Sequence, residues 1–352
     1  MGQPITPQMF GALGDGSHND CPALQNAINA ALGAGRDLYI PTGTYNLVNA
    51  TGGGPPLITV DLSKLTDPVT GTPSLSGITI YGDGANSNLQ FNTGGTPLNA
   101  SALTIYSSTA TSTSIQTYFY FNMRNLQIAA GVNGANAVLQ IGSNSQYDQL
   151  NACQFTGLVI AQGTTPANAC FAQGTGYACL INSLFQSTIE GVFDSNVVGN
   201  CTLGQSGGGG QAGLKIVGGQ FNRISCSPSA SIYNGYALWL TGLHSSGSNA
   251  QAQTVSNVFL SPDLENCQYG VWCDSDLVFN NVFVAPYFVQ SATPTLPATG
   301  PCQGQTCLTR PTTTAMAWNA GSNNRIITPY YNNIQSNNQL TGANASQQNV
   351  LS

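Results

Sequence analysis

The sequence predicts an all-β solenoid, a chain of short strands wound into stacked coils and closed at its N-terminal end by a short α-helix. Three observations carry this. Charged residues make up 6% of the 352 residues, against roughly 25% in ordinary soluble domains. In their place stand Asn, Ser, Thr, Gln and 41 Gly, residues that stack as uncharged ladders along parallel strands, amide bonding to amide from rung to rung. A segment also recurs: Ser256-Asn-Val-Phe-Leu-Ser-Pro262 returns as Asn280-Asn-Val-Phe-Val-Ala-Pro286, 24 positions on, and more loosely as Asn323-Asn-Arg-Ile-Ile-Thr-Pro329. Each copy reads as an Asn turn, a β-branched or aromatic strand and a proline turn, and such a period suits one solenoid coil. Finally, the opening residues combine a glycine-rich turn, a capped helix and a strand.

In chain order, Phe10-Gly-Ala-Leu-Gly-Asp15-Gly is the turn. Asp20 stands where an N-cap belongs, with Pro22 in the first turn. Leu24, Ala27, Ile28, Ala31 and Leu32 recur at helical spacing, and Gly33 and Gly35 supply the stop, so a helix is expected over 21–33. Leu38 and Ile40 then alternate with Asp37 and Tyr39 as a strand before Pro41-Thr-Gly. Further short strands are expected at Ile78–Tyr81, Leu126–Ile128, Leu158–Ile160, Leu214–Val217 and Leu238–Leu240. The expected organisation is a plug over 1–45, coils over 46–331 with inserted loops near 207–210 and 291–314, and an extended polar tail over 332–352. Run backwards, the 24-residue period aligns Ile216, Leu240, Leu264 and Phe288 as one inward column. Their outward neighbours are then Lys215, Trp239, Asp263 and Tyr287.

The opening succession, specific over residues 5–45, resembles that of the pectate-lyase-like right-handed parallel β-helix superfamily, which includes phage tailspikes and polysaccharide depolymerases. Asn19 and Cys21 depart from the Asp and Thr usual around the cap, with Asp20 expected to keep the role. The resemblance implies a right-handed coil, a virion or extracellular location, a bacterial surface polysaccharide as partner, possible phage tail components, and a homotrimer.

Composition narrows the classes further. A net charge of −6, with seven Lys and Arg spread singly, argues against nucleic acid as a partner. No apolar run is long enough for a membrane span, and Met1-Gly-Gln-Pro does not read as a secretory signal. The ten cysteines lack zinc-site spacing. Most, including Cys153 and Cys226, read as small buried hydrophobes. Cys302 and Cys307 flank a short ring that an oxidising compartment would close. No segment gathers the oxygens that calcium needs, and no metal or cofactor is expected. His244 is a lone candidate acid or base, and a histidine in such a turn is usually only solvated.

With 13 carboxylates, few catalytic pairs exist. Asp263 and Glu265 lie two apart and on a strand would share one face, roughly 6.5–7 Å apart at the backbone. That suits the two-carboxylate chemistry of either glycosidase class, as general acid and as base or nucleophile. Trp239 and Tyr287, expected one rung to either side, would stack on sugar rings, with Lys215 at the groove edge for an acidic sugar. The alternative is structural, since a Glu before a turn also caps amides. Asp274 and Asp276 read as a turn, and Glu190 and Asp194 as a pair of uncertain register. Three functions follow: a tailspike-like glycan-binding protein that hydrolyses its polysaccharide, a non-enzymatic receptor-binding or structural β-helix, or a secreted bacterial lyase or hydrolase.

Overall fold

The chain is a right-handed parallel β-helix closed at one end by a single helix. The computed structural model describes residues 2–48, 57–91, 100–111, 114–130, 137–143, 147–162, 176–194, 212–229, 236–243, 252–265, 267, 269–289, 314–318, 320–332, 336–340 and 350–351. The loop expected at 207–210, nearly all of that at 291–314, His244, Cys302 and Cys307 lie outside the described residues.

Each coil crosses three parallel sheets in a fixed order. One coil begins with Ala212–Ile216 in a sheet of nine described strands. It continues as Gly219–Gln220 in a sheet of six and Arg223–Ser229 in a sheet of fifteen. The next coil runs through Tyr236–Leu240, Thr254–Val255, then Val258–Leu260 and Asp263–Glu265. The one after runs through Tyr269–Cys273, Val278–Phe279, Val282–Val284 and Tyr287–Val289. Within the stretch expected as a tail, Ser336–Leu340 pairs with Thr314–Trp318 and Val350–Leu351 with Arg325–Ile327.

Because rungs are in register, like stacks on like. Met123, Phe155, Ile189, Ile224, Phe259, Phe283 and Ile326 form one inward column of the large sheet, all buried. The Phe259 and Phe283 rings stack with centroids 4.5 Å apart. Facing them, Leu139, Cys179, Leu214, Leu238, Val271 and Met316 line the nine-stranded sheet. Cys153 and Cys226 are free and buried, as expected, and burial pushes both thiols up to about 12.

The corner leading into the large sheet is the most regular feature. Tyr120, Ala152, Gln186, Phe221, Ser256, Asn280 and Asn323 all take positive φ there, between 48° and 59°, a left-handed conformation unfavourable for residues with a Cβ. The residue after each turns inward. From Asn222 onward these are asparagines: the Asn222, Asn257 and Asn281 Nδ2 atoms each donate to the next asparagine's Oδ1 at 2.9 Å. Each Oδ1 also takes the preceding rung's backbone N–H, at 3.0–3.1 Å. Ser187 and Cys153 continue the column toward the N-terminus. The Asn-x-x-x-x-Pro repeat read from the sequence is this corner followed by a second one at Ser261, Ala285 and Thr328, again with positive φ.

The plug matches its expected stripe. The helix Cys21–Ala34 buries Leu24, Ala27, Ile28, Ala31 and Leu32, and Gly35 ends it in the left-handed region. Gln25 donates to the Thr59 carbonyl and accepts from the Thr59 N–H, both at 2.9 Å. It thereby stands in for the missing neighbour of Ile58–Asp61, the terminal strand of the nine-stranded sheet. The cap differs from expectation. The buried Asp20 carboxylate turns away from the helix to accept the Leu13 and Gly14 amides at 2.8 and 3.0 Å. Asn19 instead takes the Cys21 N–H at 3.1 Å. The Leu13 and Gly14 amides take both oxygens of the Asp20 carboxylate, so the cap passes to the residue before it.

The single inward column expected for Ile216, Leu240, Leu264 and Phe288 is not formed. All four are buried, but Ile216 pairs with Leu240 in the nine-stranded sheet and Leu264 with Phe288 in the large sheet. Leu240 pairs onward with Cys273, 33 positions later. Coil length is not constant: Thr254 lies 14 positions after Leu240, whereas Gly219 lies 3 after Ile216, and the difference shifts the period of everything that follows.

Candidate functional site

The change of register divides the expected site into two. Lys215 and Trp239 are neighbours on adjacent rungs of the nine-stranded sheet. Asp263 pairs with Tyr287 on the large sheet, and Glu265 with Val289. Trp239 is followed on its next rung by Trp272, not by Asp263. With Leu240 and Leu264 both turned inward from different sheets, Trp239 and Asp263 emerge on different faces of the solenoid, so the groove expected to hold all five residues does not exist.

On the large sheet, Asp263, Tyr287 and Tyr330 form one outward column. The two tyrosine rings stack with centroids 4.8 Å apart and planes 10° apart. They remain 37% and 53% exposed, enough to meet a ligand. Seven other carboxylates are tied to backbone amides, within turns or across rungs: Asp15, Asp20, Asp37, Asp61, Asp67, Asp83 and Asp148. Toward the other end of these rungs, Phe221, Asn222, Arg223, Ser256, Val258 and Leu260 line an open depression of about 410 Å³.

On the nine-stranded sheet the outward residues are aromatic over three coils. Tyr177, Tyr236, Trp239, Tyr269 and Trp272 make one cluster, with Tyr236 stacked on Trp272 at 5.3 Å and set edge-on to Trp239 at 5.2 Å. The Lys215 Nζ lies 3.5 Å from the Trp239 ring centroid, close enough for a cation–π contact, and donates to the Tyr177 hydroxyl at 3.1 Å. Burial pushes the Lys215 amine down to about 8, while the Asp274 charge pulls in the other direction. Burial raises the Tyr177 and Tyr236 hydroxyls, and Asp274 adds to the rise. The Trp239 Nε1 donates to Asp274 Oδ2 at 3.0 Å. The other carboxylate oxygen, Oδ1, is buried with no hydrogen-bond partner among the described residues.

Five members of this cluster, Tyr177, Tyr236, Tyr269, Trp272 and Asp274, escaped the sequence reading, which took Asp274 as part of a turn. The signal was present. Tyr236-Ala-Leu-Trp-Leu240 and Tyr269-Gly-Val-Trp-Cys273 share one pattern 33 positions apart, and that spacing is the true period of this coil. Among the described residues no group of three or more His, Cys, Asp or Glu is placed to hold a metal ion. No described helix is long and apolar enough to cross a membrane.

A helix-capped, right-handed parallel coil of this kind defines the pectate-lyase-like class of solenoids. Residues 8–271 match the family described as rhamnogalacturonase A/epimerase, pectate lyase-like, and the chain belongs to that family. Among solved structures it is similar to the ORF18 protein of Geobacillus virus E2, at 15% identity and a TM-score of 0.46, covering 95% of this chain and 49% of that one. The chain thus spans about half the length of that relative. It is also similar to the Dettilon tailspike protein (10% identity, TM-score 0.45, 93% of this chain and 62% of the other). A third is the A-module of the Azotobacter vinelandii mannuronan C-5 epimerase AlgE4 (15%, 0.39, 99% of each). Comparison with curated protein sequences gave no match.

Proposed function

We propose that this chain is a tailspike-like, virion-associated or extracellular β-helix that binds a bacterial surface polysaccharide and hydrolyses it. The observation that carries the reading is the outward column of Asp263, Tyr287 and Tyr330, a carboxylate one rung from two stacked, exposed rings. Rings so exposed offer an apolar face to a pyranose. Glu265 follows two positions later on the same strand, at a backbone separation compatible with a general acid and its partner base or nucleophile. Lys215 and Trp239 contact glycan on their own face. A homotrimer, and attachment to phage tail components, complete the reading, and light scattering at working concentration tests the trimer.

The test of cleavage is reducing-end release from the host's purified surface polysaccharide. Asp263→Asn and Glu265→Gln should each lower release by about two orders of magnitude or more, with melting temperatures unchanged. Release at the wild-type rate by both variants overturns the assignment of the pair. One observation favours the second reading, a receptor-binding β-helix without catalysis: over half of the carboxylates are tied to backbone amides. Binding of the host glycan without any release by the wild type selects it. Absorbance from unsaturated uronates would instead identify a lyase.

A further inference from the structure

We propose that the outer face of the large sheet, over the coils that hold Val258, Val282 and Arg325, is covered in solution by the same face of a second copy of this chain, with the two solenoids parallel. The inference gives the proposed homotrimer a contact face and rests on that association, not on the glycan reading.

The first observation is a change of pattern within one sheet. Phe155, Ile189 and Ile224 turn inward, and the residues flanking them face out: Gln154 and Thr156, Thr188 and Glu190, Arg223 and Ser225. That is the alternation of a strand with one face in water. On the next three rungs it stops. Val258-Phe-Leu260, Val282-Phe-Val284 and Arg325-Ile-Ile327 keep a buried residue in the middle, but Val258, Leu260, Val282, Val284 and Ile327 face out in register. Continuous apolar runs in parallel strands belong to sheets covered on both faces. Among the described residues this face stays open. Val258 is 37% exposed, and Phe221, which lines the same depression, is 60% exposed.

The second observation is size. One outward column runs in register from Asn122 to Val350. At about 4.8 Å per rung and about 3.3 Å per residue between the two corners, it belongs to a face roughly 34 Å by 16 Å. The corrugated accessible surface of such a face is of the order of the ~800 Å² that each partner gives to a stable complex.

The third is charge. Arg223 and Arg325 bracket the aliphatic rows, and neither has an ion-pair partner among the described residues. Glu190 stands one rung before Arg223, in the column of Ser225. Antiparallel packing that keeps the aliphatic rows together sets Arg223 of one copy against Arg325 of the other, cation on cation. Parallel packing sets each residue against the neighbouring column of the second copy on the same rung. Val258 then meets Leu260, Val282 meets Val284, and Arg223 meets Ser225 with Glu190 one rung away. Only the parallel sense joins apolar rows and opposite charges together. Any rotation axis along the solenoid preserves it, so a closed ring of three copies does too. Asp263, Tyr287 and Tyr330 lie beyond the second corner, outside this face.

The experiment is sedimentation velocity of the full chain over a concentration series, with melting curves for every variant. Wild type should run as an oligomer. Val282→Glu, which would bury a charge in the contact, should run as a single chain. The triple variant Val258→Thr/Val282→Thr/Val284→Thr keeps β-branched strand residues and tests the face if Val282→Glu fails to fold. It should raise the dissociation constant by about tenfold or more. Arg223→Glu should weaken association at low salt, and adding Glu190→Arg should restore it. Strengthening by Arg223→Glu alone indicates antiparallel packing and overturns the parallel arrangement. A wild type that stays a single chain at every concentration overturns the proposal, as does a single chain that floats with phosphatidylglycerol vesicles, which would give the face to lipid. Trimers that persist in the folded variants overturn the face and leave the homotrimer reading standing. Dimers that separate in the variants support the face and remove the trimer.

Discussion

Replacing Asn257 with Ala tests the asparagine ladder at its middle rung. The side chain is fully buried, and its Oδ1 accepts from both the backbone N–H and the Nδ2 of Asn222, at 3.1 and 2.9 Å. Its Nδ2 donates to the Gly219 carbonyl at 2.8 Å and to Asn281 Oδ1 at 2.9 Å. Truncation leaves two buried donors of Asn222 without that acceptor, whereas Asn281 Oδ1 keeps the Asn257 backbone N–H. At about 1–3 kcal/mol for each buried group left unpaired, the expected loss is about 2–6 kcal/mol. Ser187→Ala supplies the internal scale: the serine Oγ donates to the Phe185 carbonyl at 2.7 Å and accepts one amide, that of Cys153, so one buried donor loses its acceptor and the loss should be about 1–3 kcal/mol. The assay is equilibrium urea unfolding followed by circular dichroism, or unfolding rates if refolding is incomplete. The double variant Asn257→Ala/Asn281→Ala should lose less than the sum of the singles, since the two side chains share one hydrogen bond. A loss below about 1 kcal/mol for Asn257→Ala, or strict additivity in the double variant, would refute the view that the amides act as a connected ladder.

Two further outcomes follow from titratable groups in the fold. Lys215 has a folded pKa of about 8 against an ordinary 10.5, so between these values the unfolded chain binds more protons and stability rises with pH. The wild-type melting temperature should therefore gain on that of Lys215→Met from pH 8 to 10, and parallel curves would remove Lys215 as the cause. Thiol counting in denaturant without reductant should find at least the five free cysteines Cys21, Cys153, Cys179, Cys226 and Cys273. The folded protein should leave Cys153 and Cys226 unreactive at pH 8, since burial holds both thiols far above that pH. Rapid modification of both in the folded state would show that the interior opens.

Local pattern was readable wherever the cause was local. The helix stripe from Leu24 to Leu32 fixes its own buried face, and the Asn and Pro repeat marks both corners of the large sheet because each inward asparagine bonds the same atom of the next rung. Register between coils was not readable from one period. It depends on how many residues the chain places in each corner, and the stretch after Leu240 adds enough to move Asp263 off the sheet that carries Trp239. The Asp20 role was missed for a related reason: a carboxylate at an N-cap position is indistinguishable, in sequence, from one that reaches back to a preceding turn. Lys215 and Trp239 meet because both lie within the one coil step of that sheet for which 24 residues is correct.

The unequal coils give the molecule a separation between pitch and girth. Rung spacing is set by backbone pairing and by the side-chain amides at one corner, neither of which depends on how far the chain travels before returning. Successive residues of one inward column, Leu214, Leu238, Val271 and Met316, are separated by 24, 33 and 45 positions, yet occupy consecutive rungs. A lineage of such chains is therefore free to lengthen or shorten a circuit without altering the axial address of any later residue. Each face can be re-tailored for a new ligand while the face around the corner keeps its own.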